Sequence, residues 1–150
     1  MCELFGVSSS ESISLQRKLE AFRLRGGIAA NNRDGWGIAY WKDDRFRIEK
    51  EPIAAAESEL FPSLISGMRT RLLVAHVRRA NYPPVNTLAN THPFTHACCG
   101  KNWVFAHNGV VPDAVRFADE EGGRACHPAG QTDSEHAFCG LLREIARHFR

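Results

Sequence analysis

The 150-residue sequence predicts an α+β domain, and three patterns carry that prediction. Trp36-Gly37-Ile38-Ala39-Tyr40-Trp41 and the alternating Arg45-Phe46-Arg47-Ile48-Glu49 flank the turn residues Lys42-Asp43-Asp44, which reads as a β-hairpin. Leu72-Leu73-Val74-Ala75-His76-Val77 and Trp103-Val104-Phe105-Ala106-His107 are short continuous apolar runs, as expected of strands buried on both faces. Ile13, Leu15, Leu19, Phe22 and Leu24 recur at roughly helical spacing, as do Phe138, Leu141, Leu142, Ile145 and Phe149.

The other elements follow in chain order. Cys2 to Val7 reads as a short strand that ends in Ser8-Ser9-Ser10, and the first helix stops at Gly26-Gly27. Asn31-Asn32-Arg33-Asp34-Gly35 is turn chemistry. Residues 54–68 predict a short helix, interrupted or restarted near Pro62. Arg78 to Gly100 reads as a long irregular stretch with Pro83, Pro84 and Pro93, and loops longer than ~12–15 residues are usually functional or disordered. Pro112 to Glu120 suggests a helix, Gly122 to Gly130 a loop, and Thr132 or Asp133 can cap the last helix. With no repeat, low-complexity tract or linker, residues 1–150 read as one domain.

Composition excludes several classes. The net charge of +2 is small and scattered, which argues against nucleic-acid or membrane-surface partners. No apolar run approaches the ~20 residues of a membrane span, and no secretory signal is visible. Five cysteines without disulfide-like spacing suggest reduced thiols and a cytoplasmic location. Trp36, Trp41 and Trp103 are expected in the core.

Four places can carry chemistry, each with a plain alternative. Cys2 is either a small buried hydrophobe or, once the initiator Met1 is removed, a thiol beside its own α-amine. An amine titrating near ~7.7–8.0 can accept the proton of a thiol near ~8.5. Asn108-Gly109 is either a tight hairpin turn or an oxyanion hole at a strand end. Arg78 is either an exposed end-of-strand charge or a clamp for a carboxylate. Asp133 is either a helix N-cap or the partner of a substrate ammonium. His92 and His96, near Cys98 and Cys99, have a spacing that invites zinc, but Pro93 breaks the helix that would bring them together and no Cys-x-x-Cys completes the set.

Taken together, these residues resemble one family. Met1-Cys2-Glu3-Leu4-Phe5-Gly6-Val7, Asp34-Gly35-Trp36-Gly37-Ile38-Ala39 and Ala75-His76-Val77-Arg78-Arg79-Ala80 are followed by Asn90-Thr91-His92-Pro93-Phe94, Phe105-Ala106-His107-Asn108-Gly109 and Thr132-Asp133-Ser134-Glu135. In that order they resemble the class II glutamine amidotransferases, closest to the small stand-alone branch. The resemblance implies an N-terminal-nucleophile hydrolase fold, a four-layer αββα sandwich with antiparallel sheets. It implies hydrolysis of glutamine's side-chain amide through a γ-glutamyl thioester, with Cys2 as nucleophile and its α-amine as base. Asn108 and Gly109 would stabilise the oxyanion, Arg78 would bind the glutamine α-carboxylate and Asp133 its α-ammonium. The loop after Arg78 would close over the substrate.

No cofactor or metal is expected, and there is no phosphate-cradling Gly-x-x-x-x-Gly-Lys-Ser/Thr loop for an acceptor's nucleotide. Either a separate subunit would then use the ammonia, or the reaction would be plain glutamine hydrolysis. Relatives usually carry Thr or Ser soon after the Ala80 position, where this chain has Asn81-Tyr82. Members of the branch also continue past the Asp133 helix, so the expectation is a sandwich short of C-terminal strands, with self-association through its open edge. Two other functions compete: a partner-completed, non-catalytic domain of the same fold, and an N-terminal-cysteine amidase acting on another amide.

Overall fold

A computed structural model describes residues 1–81, 84–112 and 126–149 of the chain. Its centre is a four-stranded antiparallel sheet made by β1 (Glu3–Ser14), β2 (Trp36–Lys42), β3 (Arg45–Glu51) and β4 (Arg69–Val77), in the order β1-β4-β2-β3. Side chains alternate across a strand, so the register decides what each face carries. Val77 lies between Glu3 and Trp36, and Ala75 between Phe5 and Ile38. This puts Leu73, Ala75, Val77, Trp36 and Ile38 on one buried face.

Two helices cover that face. α1 (Gln16–Arg25) buries Leu19 and Phe22, and α2 (Leu60–Ile65) buries Phe61 and Ile65. Trp36 and Phe61 meet edge to face at 4.7 Å between ring centroids. The Arg23 guanidinium donates to the carbonyls of Ala55 (3.0 Å) and Ala56 (2.7 Å), tying α1 to the short 3₁₀ turn Ala55–Glu57.

The opposite face receives a second antiparallel sheet, β5 (Phe94–Cys98) paired with β6 (Lys101–Phe105). The segment leading into it passes directly over Gly37, where a Cβ would lie 2.1 Å from the His92 carbonyl oxygen. His76, opposite Gly37 in register, stacks on His92 at 4.3 Å. Lys50 adds a tie from β3, donating to the Thr91 carbonyl at 2.7 Å. The last helix, α3 (Asp133–His148), closes the stack by packing Phe138 and Leu142 against Phe94 and Cys98. The layers therefore run helix, sheet, sheet, helix, the αββα sandwich expected of the sequence.

Several elements differ from expectation. β1 extends to Ser14 because its polar half still pairs with Thr70 and Arg69 beyond a bulge between Ser8 and Ile13. α2 begins before Pro62, which sits in its first turn, where proline removes no helix bond. The stretch read as irregular contains β5, a strand masked by Pro93 and its polar Thr95 and His96. Trp36 is fully buried, whereas Trp41 and Trp103 are half-buried. Leu141 and Phe149 are exposed, and Phe138, Leu142 and Ile145 form the inward stripe. Asn108-Gly109 makes no hairpin turn among the described residues. The helix expected over 112–120 falls, but for Pro112, outside the described residues.

The cysteines also differ. Cys126 and Cys139 are joined as a disulfide with Cα atoms 5.1 Å apart, leaving Cys2, Cys98 and Cys99 free, so the expectation of all-reduced thiols does not hold. A sequence separation of 13 gave no framework signature; tertiary packing brings Cys126 onto α3. No helix among the described residues is long and apolar enough to cross a membrane.

Gly37→Ala tests how the two sheets seat. The clash is with backbone, which cannot rotate away as a side chain could, so the loss of stability should be at or above the ~1–3 kcal/mol typical of overpacking. Chemical denaturation reads it directly; an unchanged midpoint would contradict this packing.

Candidate active site

The antiparallel register of β1 and β4 brings the first residues of the chain to the end of β4. Because Glu3 pairs with Val77, Cys2 lies beside Arg78 and Arg79. The Arg79 backbone N–H donates to Cys2 Sγ at 3.2 Å, and the thiol lies 3.4 Å from the Arg79 carbonyl oxygen. A cavity of about 370 Å³ opens here, lined by Cys2, Arg78, His92, His107, Gly109 and Asp133 among others. Four of the five residues singled out in the sequence thus meet at one cavity. Asn108, the fifth, is exposed and lies off its lining.

Arg78 is buried, not an exposed strand-end charge. Its Nη1 donates to the carbonyls of Asp34 (3.1 Å) and Val85 (3.3 Å) and to Asn86 Oδ1 (3.0 Å). The Asp34 carboxylate in turn accepts from the Ala80 N–H (2.8 Å) and Asn86 Nδ2 (3.2 Å). Burial lowers the guanidinium's pKa from its ordinary value, opposed chiefly by the Asp34 charge. Asp34 and Asn86 were missed as site-forming residues. Turn chemistry around Asp34 was visible, but its partners lie 46 and 52 residues away in sequence.

Asp133 is the first residue of α3, and the cap is Thr132, whose Oγ1 accepts from the Glu135 N–H at 3.2 Å. The Asp133 carboxylate is left to work locally. Oδ2 accepts from the Val111 N–H at 2.7 Å, and Oδ1 from the N–H of Ser134 at 2.7 Å. Ser134 Oγ lies 3.1 Å from His107 Nδ1, so the segment after β6 and the start of α3 are coupled through one hydroxyl. Gly109 sits at φ 151°, a conformation that residues with a side chain rarely adopt, and a Cβ there would lie 3.2 Å from the His107 ring.

The arrangement offers a thiol, a buried cation and a partly buried carboxylate around one space. Such a set can hold a zwitterionic amino acid by both charged ends and present a sulfur to its side chain. His92 and His96 do not converge on one another. His92 stacks on His76 under the cavity, and His96 faces α3 across Phe138.

The family model described as "Glutamine amidotransferases class-II" matches residues 1–150. The Escherichia coli (strain K12) protein named "Putative glutamine amidotransferase YafJ" is 35% identical over 99% of this chain and 57% of its own length. The "Gamma-glutamyl-hercynylcysteine sulfoxide hydrolase" of Mycobacterium tuberculosis (strain ATCC 25618 / H37Rv) is 31% identical over 65% of this chain and 40% of its own length. A crystal structure titled as a "predicted glutamine amidotransferase from Pseudomonas aeruginosa PA01" superposes with a TM-score of 0.63 at 30% identity, over 99% of this chain and 56% of that one. The chain spans about half the length of the curated relatives it matches, 57% and 50% for two of them.

Beneath the cavity, burial holds the stacked histidines neutral. It lowers His76 from 6.5 to about 4, partly offset by the His107 backbone, and His92 from 6.5 to about 2, with neighbouring positive charges lowering both. An unfolded chain takes up protons on both rings below ~6.5, whereas the folded chain does not until far lower. Stability is therefore fully present above pH 6.5 and lost as pH falls below it, at up to ~1.4 kcal/mol per pH unit for each ring. Denaturation midpoints at pH 7 and pH 5 should differ in the native chain, and differ less in His92→Gln. Equal midpoints in the native chain would refute the buried neutral pair.

Proposed function

This chain belongs to the class II glutamine amidotransferases, and we propose that it hydrolyses the glutamine side-chain amide to glutamate and ammonia, with Cys2 as the nucleophile. The observation that carries this reading is convergence: Cys2, Arg78, Gly109 and Asp133 come from four distant points of the chain to one cavity. Removal of Met1 would give Cys2 a free α-amine within reach of its own sulfur.

In this reading Arg78 takes the substrate α-carboxylate and Asp133 the α-ammonium, which fixes the amide against the sulfur. The α-amine accepts the thiol proton, and the Arg79 N–H already directed at Sγ favours the thiolate. The sulfur adds to the amide carbon, forming a C–S bond, and the carbonyl electron pair moves to oxygen. The Gly109 N–H would receive that oxyanion, and the Asn108 side-chain amide would turn inward to complete the pair. The C–N bond then breaks as the protonated Cys2 α-amine gives its proton to the departing ammonia, leaving a γ-glutamyl thioester. Water adds to the thioester with the amine again accepting a proton, and glutamate leaves as the thiol re-forms. The ammonia would pass to an acceptor bound to a separate subunit.

A second reading keeps the same chemistry on an N-substituted γ-glutamyl amide. It is favoured by the similarity to a mycobacterial protein whose name is that of a γ-glutamyl hydrolase. Both readings need the amino-acid clamp and differ only at the leaving amine.

Intact mass and peptide mapping after treatment with a glutamine-mimicking diazo-ketone test the proposal. One adduct should appear on Cys2 of chains lacking Met1, excess glutamine should block it, and Cys2→Ala should abolish ammonia release. No adduct on folded, Met1-free chain would overturn the catalytic reading. Asp133→Asn keeps one accepting oxygen but removes the charge, so kcat/KM for glutamine should fall roughly 10- to 100-fold, matching the ~1.5–3 kcal/mol of a charged hydrogen bond. Faster turnover of a γ-glutamyl-alkylamide than of glutamine would select the second reading.

A further inference from the structure

Outside the cavity lining, three ligating groups come together from three separate parts of the chain. His96 projects from β5, Cys139 from α3, and Cys126 from the segment that runs on to the cavity wall at Gln131 and Thr132. One ligand atom from each, an imidazole nitrogen and two sulfurs, all lie within 4.8 Å of one another. Both cysteines are buried. His96 Nε2 is also buried, 3.4 Å from Glu135 Oε1 but without a hydrogen bond of proper geometry.

Two sulfurs suffice for the disulfide seen here. The imidazole beside them is what a disulfide has no use for. Two thiolates and an imidazole are a donor set that zinc prefers, and Zn–S of ~2.3 Å with Zn–N of ~2.0–2.1 Å places the donors of one tetrahedron roughly 3.3–3.8 Å apart. Once the bond is reduced, the two sulfurs must part from ~2.05 Å by nearly 2 Å, about an ångström each, and the imidazole must close by a similar distance. Glu135 completes the surroundings. It is buried, its carboxylate holds the N–H groups of Ala129 (3.0 Å) and Gly130 (2.7 Å), and it stands next to the His96 ring. A carboxylate beside a metal-binding imidazole orients the ring and raises its basicity.

We propose that Cys126, Cys139 and His96, with the two cysteines reduced, form a zinc site that staples the 126–132 segment to α3 and β5. The disulfide is the oxidised form of the same pair. A dithiol reductant supplies two electrons and two protons to give two thiols, and zinc binding then releases both protons as the thiolates coordinate. Water takes the fourth position, and Glu135 stays beside the imidazole as the group that orients it. The site is separate from the cavity, but the segment it anchors carries Gln131 and Thr132 into the lining.

The test uses the full chain, reduced with a phosphine under anaerobic conditions, loaded with Zn²⁺, desalted and weighed by native mass spectrometry. One zinc per chain should be retained, and zinc should protect Cys126 and Cys139 from alkylation in peptide maps. Cobalt in place of zinc should give thiolate-to-metal charge-transfer absorption. Cys126→Ser/Cys139→Ser should lose the metal, His96→Ala should weaken it at least 10-fold, and Cys98→Ser/Cys99→Ser should retain it. The proposal is overturned if the folded, reduced chain holds no zinc, or if protection falls on other cysteines. Zinc persisting in Cys126→Ser/Cys139→Ser would overturn it too. The alkylation map needs no variant, so a misfolded substitution leaves the question decidable.

Discussion

The pairing of β1 with β4 is the constraint on which the candidate site depends. An antiparallel ladder puts the start of one strand opposite the end of its neighbour. With Glu3 opposite Val77, the residue before β1 and the residues after β4 have no choice but to be adjacent. A one-residue slip would turn every side chain of β1 to the other face and expose Phe5 and Val7, which pack on the core. The hydrophobic alternation that stabilises the sheet is therefore also what sets Cys2 against Arg78 and Arg79.

Arg78 shows how such a site is held together. A buried guanidinium is costly unless its donors are paired, and here one nitrogen serves three acceptors on two segments. Asp34 supplies the opposing charge and secures the backbone of Ala80. Removing the Asp34 charge would leave the buried Arg78 guanidinium without its opposing charge, so the turn before β2 and the stretch after β4 form one unit. That unit keeps a cation on the cavity wall without leaving it exposed to water.

The second sheet is admitted by absence of bulk. Gly37 leaves the gap through which residues 91–93 cross, and the His76–His92 stack fills the space beside it. Burial keeps both rings neutral, so the layer between the sheets behaves near neutral pH as an apolar one. α3 then closes the far side, and its capped first turn delivers Asp133 to the same cavity that Cys2 reaches from the other sheet.

The sequence by itself determined the hairpin around Lys42-Asp43-Asp44, the central strand at Leu72 to Val77 and the last helix, because turn residues, a continuous apolar run and a period of 3.6 are all local signals. It also marked Cys2, Arg78, Asn108, Gly109 and Asp133, since ordered motifs survive as strings of letters, though Asn108 lies off the cavity lining. It did not reveal β5, whose polar residues form a strand only because β6 and α3 cover it. Nor did it reveal the bonds of Arg78 to Asp34 and Asn86, or the meeting of Cys126, Cys139 and His96. Those depend on contacts between residues far apart in the chain, and only the packing of sheet on sheet and helix on sheet brings them within bonding distance.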